Sequence, residues 1–186
     1  MNRLLIILCL LASPIFAADE KPAEPQNFTH RITGLFAPSR ETTLRTALET
    51  LPNVKLVSLD FEHAEGVFNY DPAVAFNGTK PEDITKRFDE LLRNATRSTL
   101  GIAALITTPH DKLTRIDIPV ISCDCQACAL GIYEIIYKIE GVAAATVELK
   151  EGRVTALIES EKTSQLALED ALKKREVKLN TPPKTP

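Results

Sequence analysis

The sequence predicts an α+β fold in which one strand–helix–strand–strand–helix–strand pattern runs twice, behind a leader. Three observations carry this. Apolar residues switch between the two-residue period of strands and the 3.6-residue period of helices in the same order in each half. An offset of 88 residues lays Leu44, Ala47, Leu48, Leu51 and Val54 over Ile132, Ile135, Ile136, Ile139 and Val142, so helix ends and inner faces coincide. Three cysteines, Cys123, Cys125 and Cys128, crowd the turn between an extended run and a helical run of the second half.

The elements follow in chain order. Residues 1–17 read as a secretory signal peptide, with Arg3 as the positive n-region, Leu4 to Ala12 as a short apolar stretch and Ile15-Phe16-Ala17 before the cleavage point. That stretch is too short for a bilayer anchor. Residues 18–27, rich in Pro and charge, predict a flexible spacer. The first half spans 28–107. Phe28 to Phe36 is expected to be extended. Pro38-Ser39 opens a helix that Pro52-Asn53 ends. Val54 to Phe61 alternates, with Leu56 and Leu59 expected on opposite sides, and a turn through Glu62 to Gly66 returns into Val67 to Tyr70. Lys80-Pro81-Glu82-Asp83 starts a helix with proline and acids at its positive end, and Ile84, Phe88, Leu91 and Leu92 form its inner face. Thr99 to Ile106 is the expected last strand.

Residues 108–112 form the linker, and 113–180 the second half. Leu113 to Ile121 is predicted as strand and Ala127 to Glu140 as helix, stopped at Gly141. Val142 to Leu149 and Arg153 to Ile158 pair through Lys150-Glu151-Gly152. Thr163 or Ser164 caps a helix carrying Leu166, Leu168, Ala171 and Leu172, and Val177 to Leu179 closes the pattern. Residues 181–186, half of them proline, predict disorder. Each half is thus the split βαβ, ferredoxin-like sandwich: four antiparallel strands with two helices on one face.

Composition bounds the function. Removing residues 1–17 takes away Arg3 alone and moves the formal net charge from -3 to -4. A mildly acidic chain with both signs interspersed argues against a nucleic-acid partner. Export argues for an oxidising, secreted or periplasmic setting, and once Cys9 has left with the leader, three thiols cannot all pair within the chain.

Thiols this close at a strand-to-helix turn suit two chemistries: holding a soft metal ion, or cycling between dithiol and disulfide. The register puts Cys125 at the end of the loop and Cys128 in the first helical turn, where unpaired N–H groups and the helix dipole favour thiolate. The two intervening residues let both sulfurs reach one ion, with Cys123 as a third ligand. Two or three sulfurs suit Cu(I) first and Hg(II) next. Zn(II) ordinarily takes four ligands, and no fourth is evident nearby.

The second half resembles the heavy-metal-associated (HMA) domain of copper chaperones, metal-pumping P-type ATPases and periplasmic mercury-binding proteins. That family carries Gly-Met-x-Cys-x-x-Cys in this loop and a Gly-Val pair after the helix. Cys125 and Cys128 match its two metal-binding cysteines, and Gly141-Val142 its pair. Ser122 stands in the glycine position and Cys123 in the methionine position, replacing a packing residue by a potential ligand. The first half is similar through Thr33-Gly34-Leu35, Leu51-Pro52-Asn53-Val54 and Tyr70-Asp71-Pro72, but Ala37 and Arg40 fill the cysteine positions. The resemblance implies two tandem copies, metal binding in the second alone, and a metal-donor or metal-acceptor protein as partner.

Alternatives stand beside this reading. Cys125 and Cys128 also fit a structural disulfide or the site of a thiol–disulfide redox protein. His30, His63 and His110 read as solvated, with His110 the one placed to reach the thiols. Tyr133 and Tyr137 read as core cover, and Lys173, Lys174 and Arg175 either as cations that offset the charge of a thiolate–metal site or as a solvated helix end. No Ser-His-Asp arrangement, phosphate loop or acid–base carboxylate pair is present, so no enzyme is expected.

Overall fold

In a computed structural model of the chain, residues 24–121, 125–148 and 150–180 are described. The expected leader, the first part of the expected spacer, Cys123 and residues 181–186 lie outside them.

The first sheet joins β1 (Gln26–Thr33), β2 (Val54–Asp60), β3 (Glu65–Tyr70) and β4 (Gly101–Ala103) in the order β2-β3-β1-β4, all antiparallel. α1 (Ser39–Glu49) and the longer α3 (Ile84–Thr96) cross between its strands, and a short helix, α2 (Pro72–Ala75), precedes α3. The second sheet joins β5 (Thr114–Pro119), β6 (Val142–Glu148) and β7 (Arg153–Ile158) in the order β5-β7-β6, with α4 (Gln126–Tyr137) and α5 (Gln165–Lys174) as its helices. The chain is α+β, and both sheets follow the split βαβ order. The strand starts Gln26, Val54 and Glu65 precede Thr114, Val142 and Arg153 by the same 88 residues.

Each sheet covers its own core. Ile32, Leu44, Phe68, Phe88 and Leu92 are fully buried in the first, and Ile118, Ile136, Val154, Leu168 and Leu172 in the second. Burying these side chains is the main favourable term of the fold.

Several details depart from the alternation read in the sequence. β1 begins at Gln26, inside the expected spacer, because Asn27 pairs with Asn69 and accepts its side-chain amide at 2.9 Å. A bulge between Leu56 and Ser58 inserts Val57 as an extra residue. The insertion turns both Leu56 and Leu59 onto the core and leaves Val57 57% exposed. The expected last strands are short. β4 holds three residues, and its counterpart is a single bridge between Val120 and Leu179, flanked by Ile121 N–H donating to Lys178 O and Asn180 N–H to Pro119 O. On the last helix Leu168 and Leu172 are fully buried, while Leu166 is 70% exposed.

His30 is a further correction: it is buried, not solvated. Its Nε2 lies 2.8 Å from the Tyr70 hydroxyl, among the rings of Phe68 and Phe88. The strand period places position 30 on the core face with Ile32, and one hydroxyl partner satisfies the imidazole there.

The two halves pack on each other. Phe36 of the first half sits in the second core, while Ala143, Ala144 and Leu157 of the second join the first. Val147 N–H donates to Phe36 O at 2.8 Å, so the 34–36 loop covers an edge of β6. Gly34 N–H donates to the Tyr133 hydroxyl at 2.8 Å. Arg31 lies over the Tyr137 ring, donates to its hydroxyl at 3.1 Å, and reaches the carbonyls of Val142 and Ala143 at 3.4 and 3.3 Å. In the linker, the Thr108 hydroxyl donates to Glu159, which also pairs with Lys162 at 2.7 Å. The hydrogen bonds from Lys162 and Thr108 hold the Glu159 carboxyl below its usual range.

Candidate metal centre

β5 delivers the chain to the cysteine loop along a fixed path. Val120 N–H donates to Gly152 O at 2.7 Å and Ile121 N–H to Lys178 O at 2.8 Å, so both flanks of the strand end are held. After the loop, Cys125 is the N-cap of α4 in extended geometry (φ -122, ψ 139), and its carbonyl accepts the first helical bond from Ala129 N–H at 3.1 Å. Ala129, Ile132, Tyr133 and Ile136 recur at helical spacing and are buried, which fixes the rotation of the helix.

That rotation leaves Cys125 and Cys128 exposed at the helix start. The Cys125 sulfur accepts from Cys128 N–H at 3.2 Å, standing where serine or aspartate usually caps a helix. Oriented N–H groups and the positive end of the helix dipole stabilise negative charge on sulfur at this position. The pair therefore sits at one helix terminus, open to solvent, with two residues between its members. Ser122, Cys123 and Asp124 lie outside the described residues, so the third proposed ligand has no stated position.

Cys128 also opens onto a groove of about 850 Å³ between α4 and the end of α5. Cys128, Gly131, Ile135 and Lys138 form its α4 wall at successive turns, and Ala171, Val177 and Ile121 add apolar surface. Lys174, Arg175 and Lys178 border it as well. Two of the three basic residues singled out in the sequence thus line the groove beside Cys128. The third, Lys173, pairs along its own helix with Glu169 at 3.5 Å. Lys138 and Lys178 were missed by the sequence reading, since helical phase and a left-handed turn at Glu176 (φ 61) place them there. The cations outnumber the carboxylates Glu134 and Glu176, and Glu134 is already paired with Lys138 at 3.1 Å.

The corresponding turn of the first half is closed. Gly34 has φ +84, and a Cβ there would lie 2.0 Å from Thr99 O, so no side chain fits. Leu35 and Phe36 are buried. Arg40, in one cysteine position, donates to Gly34 O at 3.3 Å and to the Thr99 carbonyl and hydroxyl at 3.2 and 2.7 Å, with its guanidinium over the Phe36 ring. The same turn that exposes two cysteines in one half holds the halves together in the other.

The histidines take other places. His110, read as solvated and as the one histidine placed to reach the thiols, stacks on His63 and bonds Glu65 of the first half. Among the described residues no helix is long and apolar enough to cross a membrane.

No family model and no curated protein matches the chain. Among solved structures, it is similar to a CopZ metallochaperone at 21% identity, over 36% of this chain and 98% of that one, with a TM-score of 0.34. It is similar to oxidized MerP from Ralstonia metallidurans CH34 at 21% identity, over 37% and 99%, with a TM-score of 0.34. The water-soluble region of the P-type ATPase CopA from Bacillus subtilis aligns at 21% identity over 84% of this chain and 90% of that one, with a TM-score of 0.34. Likeness at this level carries no function over to the present chain.

Proposed function

We propose that this chain is an exported protein of two tandem HMA-like copies that binds a soft metal ion, Cu(I) first with Hg(II) or Zn(II) as other cargo, and passes it to an acceptor protein. Cys125 and Cys128 are the ligands, with Cys123 as the third. The observation that carries the reading is the exposure of Cys125 and Cys128 together on one helix terminus, where backbone N–H groups favour thiolate. Soft thiolates select Cu(I) over hard ions. The cations along the adjoining groove offset the negative charge of a thiolate–metal centre.

Handover needs no covalent change in a substrate. An acceptor's thiolate adds to the ion as one cysteine leaves, so the ion keeps its sulfur ligands throughout. An open helix start allows that approach; a buried pair would not. The first copy, its cysteine positions held by Ala37 and Arg40, serves as a structural partner that covers an edge of the second.

Titration of the reduced chain with Cu(I) against a chromophoric chelator tests the reading. One equivalent should bind tightly, and the Cys125→Ser, Cys128→Ser variant should lose it; equal binding by that variant contradicts the proposal. The same N-terminal thiolate geometry also suits a dithiol–disulfide catalyst. Turnover of a disulfide substrate under a thiol reductant would favour that second reading, which the metal-carrying role does not require.

A further inference from the structure

The turn between β2 and β3 brings together residues that the thiolate site does not use. Asp60, His63 and, from the linker, His110 each offer one ligand atom, and those atoms lie within 4.8 Å of one another. His63 Nδ1 is 2.8 Å from Asp60 Oδ2, and His63 N–H donates to Asp60 Oδ1 at 3.1 Å. The two imidazoles stack face to face, centroids 3.8 Å apart and planes 8° from parallel. His110 Nε2 is 3.0 Å from Glu65 Oε1. All three ligand side chains reach solvent.

Two carboxylates, Asp60 and Glu65, lie beside the stacked imidazoles and favour positive charge at this point, which a single cation supplies. Ligands about 2.0–2.2 Å from a tetrahedral zinc-sized ion lie roughly 3.3–3.6 Å apart. The three atoms, within 4.8 Å of one another, come close to that spacing, and one imidazole turns out of the stack so that both in-plane nitrogen lone pairs meet the ion. A nitrogen, nitrogen, oxygen set is borderline in softness and suits Zn(II) or Cu(II), unlike a sulfur pair. The carboxylate on the outer edge of His110 is the outer partner that metal-bound histidines ordinarily have.

The geometry points to a second metal site, for a borderline divalent cation, built from Asp60, His63 and His110 with Glu65 orienting His110. It differs from the cysteine centre in ligand chemistry and joins the first half to the linker. Binding there ties the linker, through His110, to the β2–β3 turn.

The test uses the full chain with Cys123, Cys125 and Cys128 all changed to serine, so that it is independent of the thiolate reading. Calorimetric titration with Zn(II) should show one saturable equivalent, and Cu(II) bound in its place should give a paramagnetic spectrum with coupling to imidazole nitrogens. Glu65→Gln should weaken binding by roughly 10–100-fold, as loss of an outer partner does, and His63→Gln with His110→Gln by more than that. His110→Gln alone, on the exposed linker, provides a second variant that leaves the β2–β3 turn intact and should also weaken binding. No saturable equivalent in the serine background, or unchanged affinity in the histidine variants, overturns the site.

Discussion

His30 shows how one residue sets a pH dependence. Burial lowers its pKa from the ordinary 6.5, so it is held neutral beside Tyr70 in the folded state, while the unfolded chain protonates it near 6.5. Between those two values the unfolded state binds more protons. Stability from this group is therefore fully present above pH 6.5 and is lost as pH falls toward the folded value. Denaturant melts from pH 7.5 downward should show that loss, and His30→Gln should flatten it in the same window. An unchanged slope in the variant would place the titration elsewhere. The sequence carried only half of this: the strand period puts position 30 on the inner face, but a loop-like reading of lone histidines missed it. Cys125 and Cys128 were legible for the opposite reason. Their placement depends on local features, a strand end and a helix start, which spacing alone determines.

At the scale of elements, the turn after β1 and the turn after β5 begin from one pattern and end in different uses. Gly34, at φ +84 against Thr99 O, lets the first turn fold flat, and Arg40 then locks it to the start of β4. Gly34→Ala should cost about 2 kcal/mol or more, since a side chain there meets both a left-handed backbone and a carbonyl. Chemical denaturation measures this, and a change within about 0.5 kcal/mol, as at an ordinary surface position, would contradict it. Helix phase and strand starts were readable because each rests on a local period. The Val57 bulge was not, since strict alternation predicts no inserted residue. The reduction of the last strand to one bridge at Leu179 was hidden too: an extended segment pairs only as far as its neighbour's free edge allows.

Across the whole molecule, the packing of one half on the other was the least legible feature. Apolar periodicity marks which faces are covered, not which neighbour covers them. Phe36 read as the end of a strand, and Tyr133 and Tyr137 as core cover; the two tyrosines do pack on the second core, and they also meet Phe36 and Arg31 of the first half at the junction. Arg31→Ala should lower stability by about 1–3 kcal/mol, the range for leaving partly buried polar groups without partners. Hydrogen exchange should quicken at Gly34 and Val147, whose N–H groups bridge the halves. Unchanged exchange at both would mean that Arg31 adds nothing to the junction.

The central claim is that cysteine sulfurs at the start of α4 converge on one soft ion. X-ray absorption at the copper edge, on the reduced chain loaded with one equivalent of Cu(I), tests it most directly. The account predicts a shell of two or three sulfurs with no nitrogen or oxygen, reduced or abolished by Cys125→Ser and Cys128→Ser. A shell of nitrogen and oxygen, or an all-sulfur shell that survives those substitutions, would contradict it.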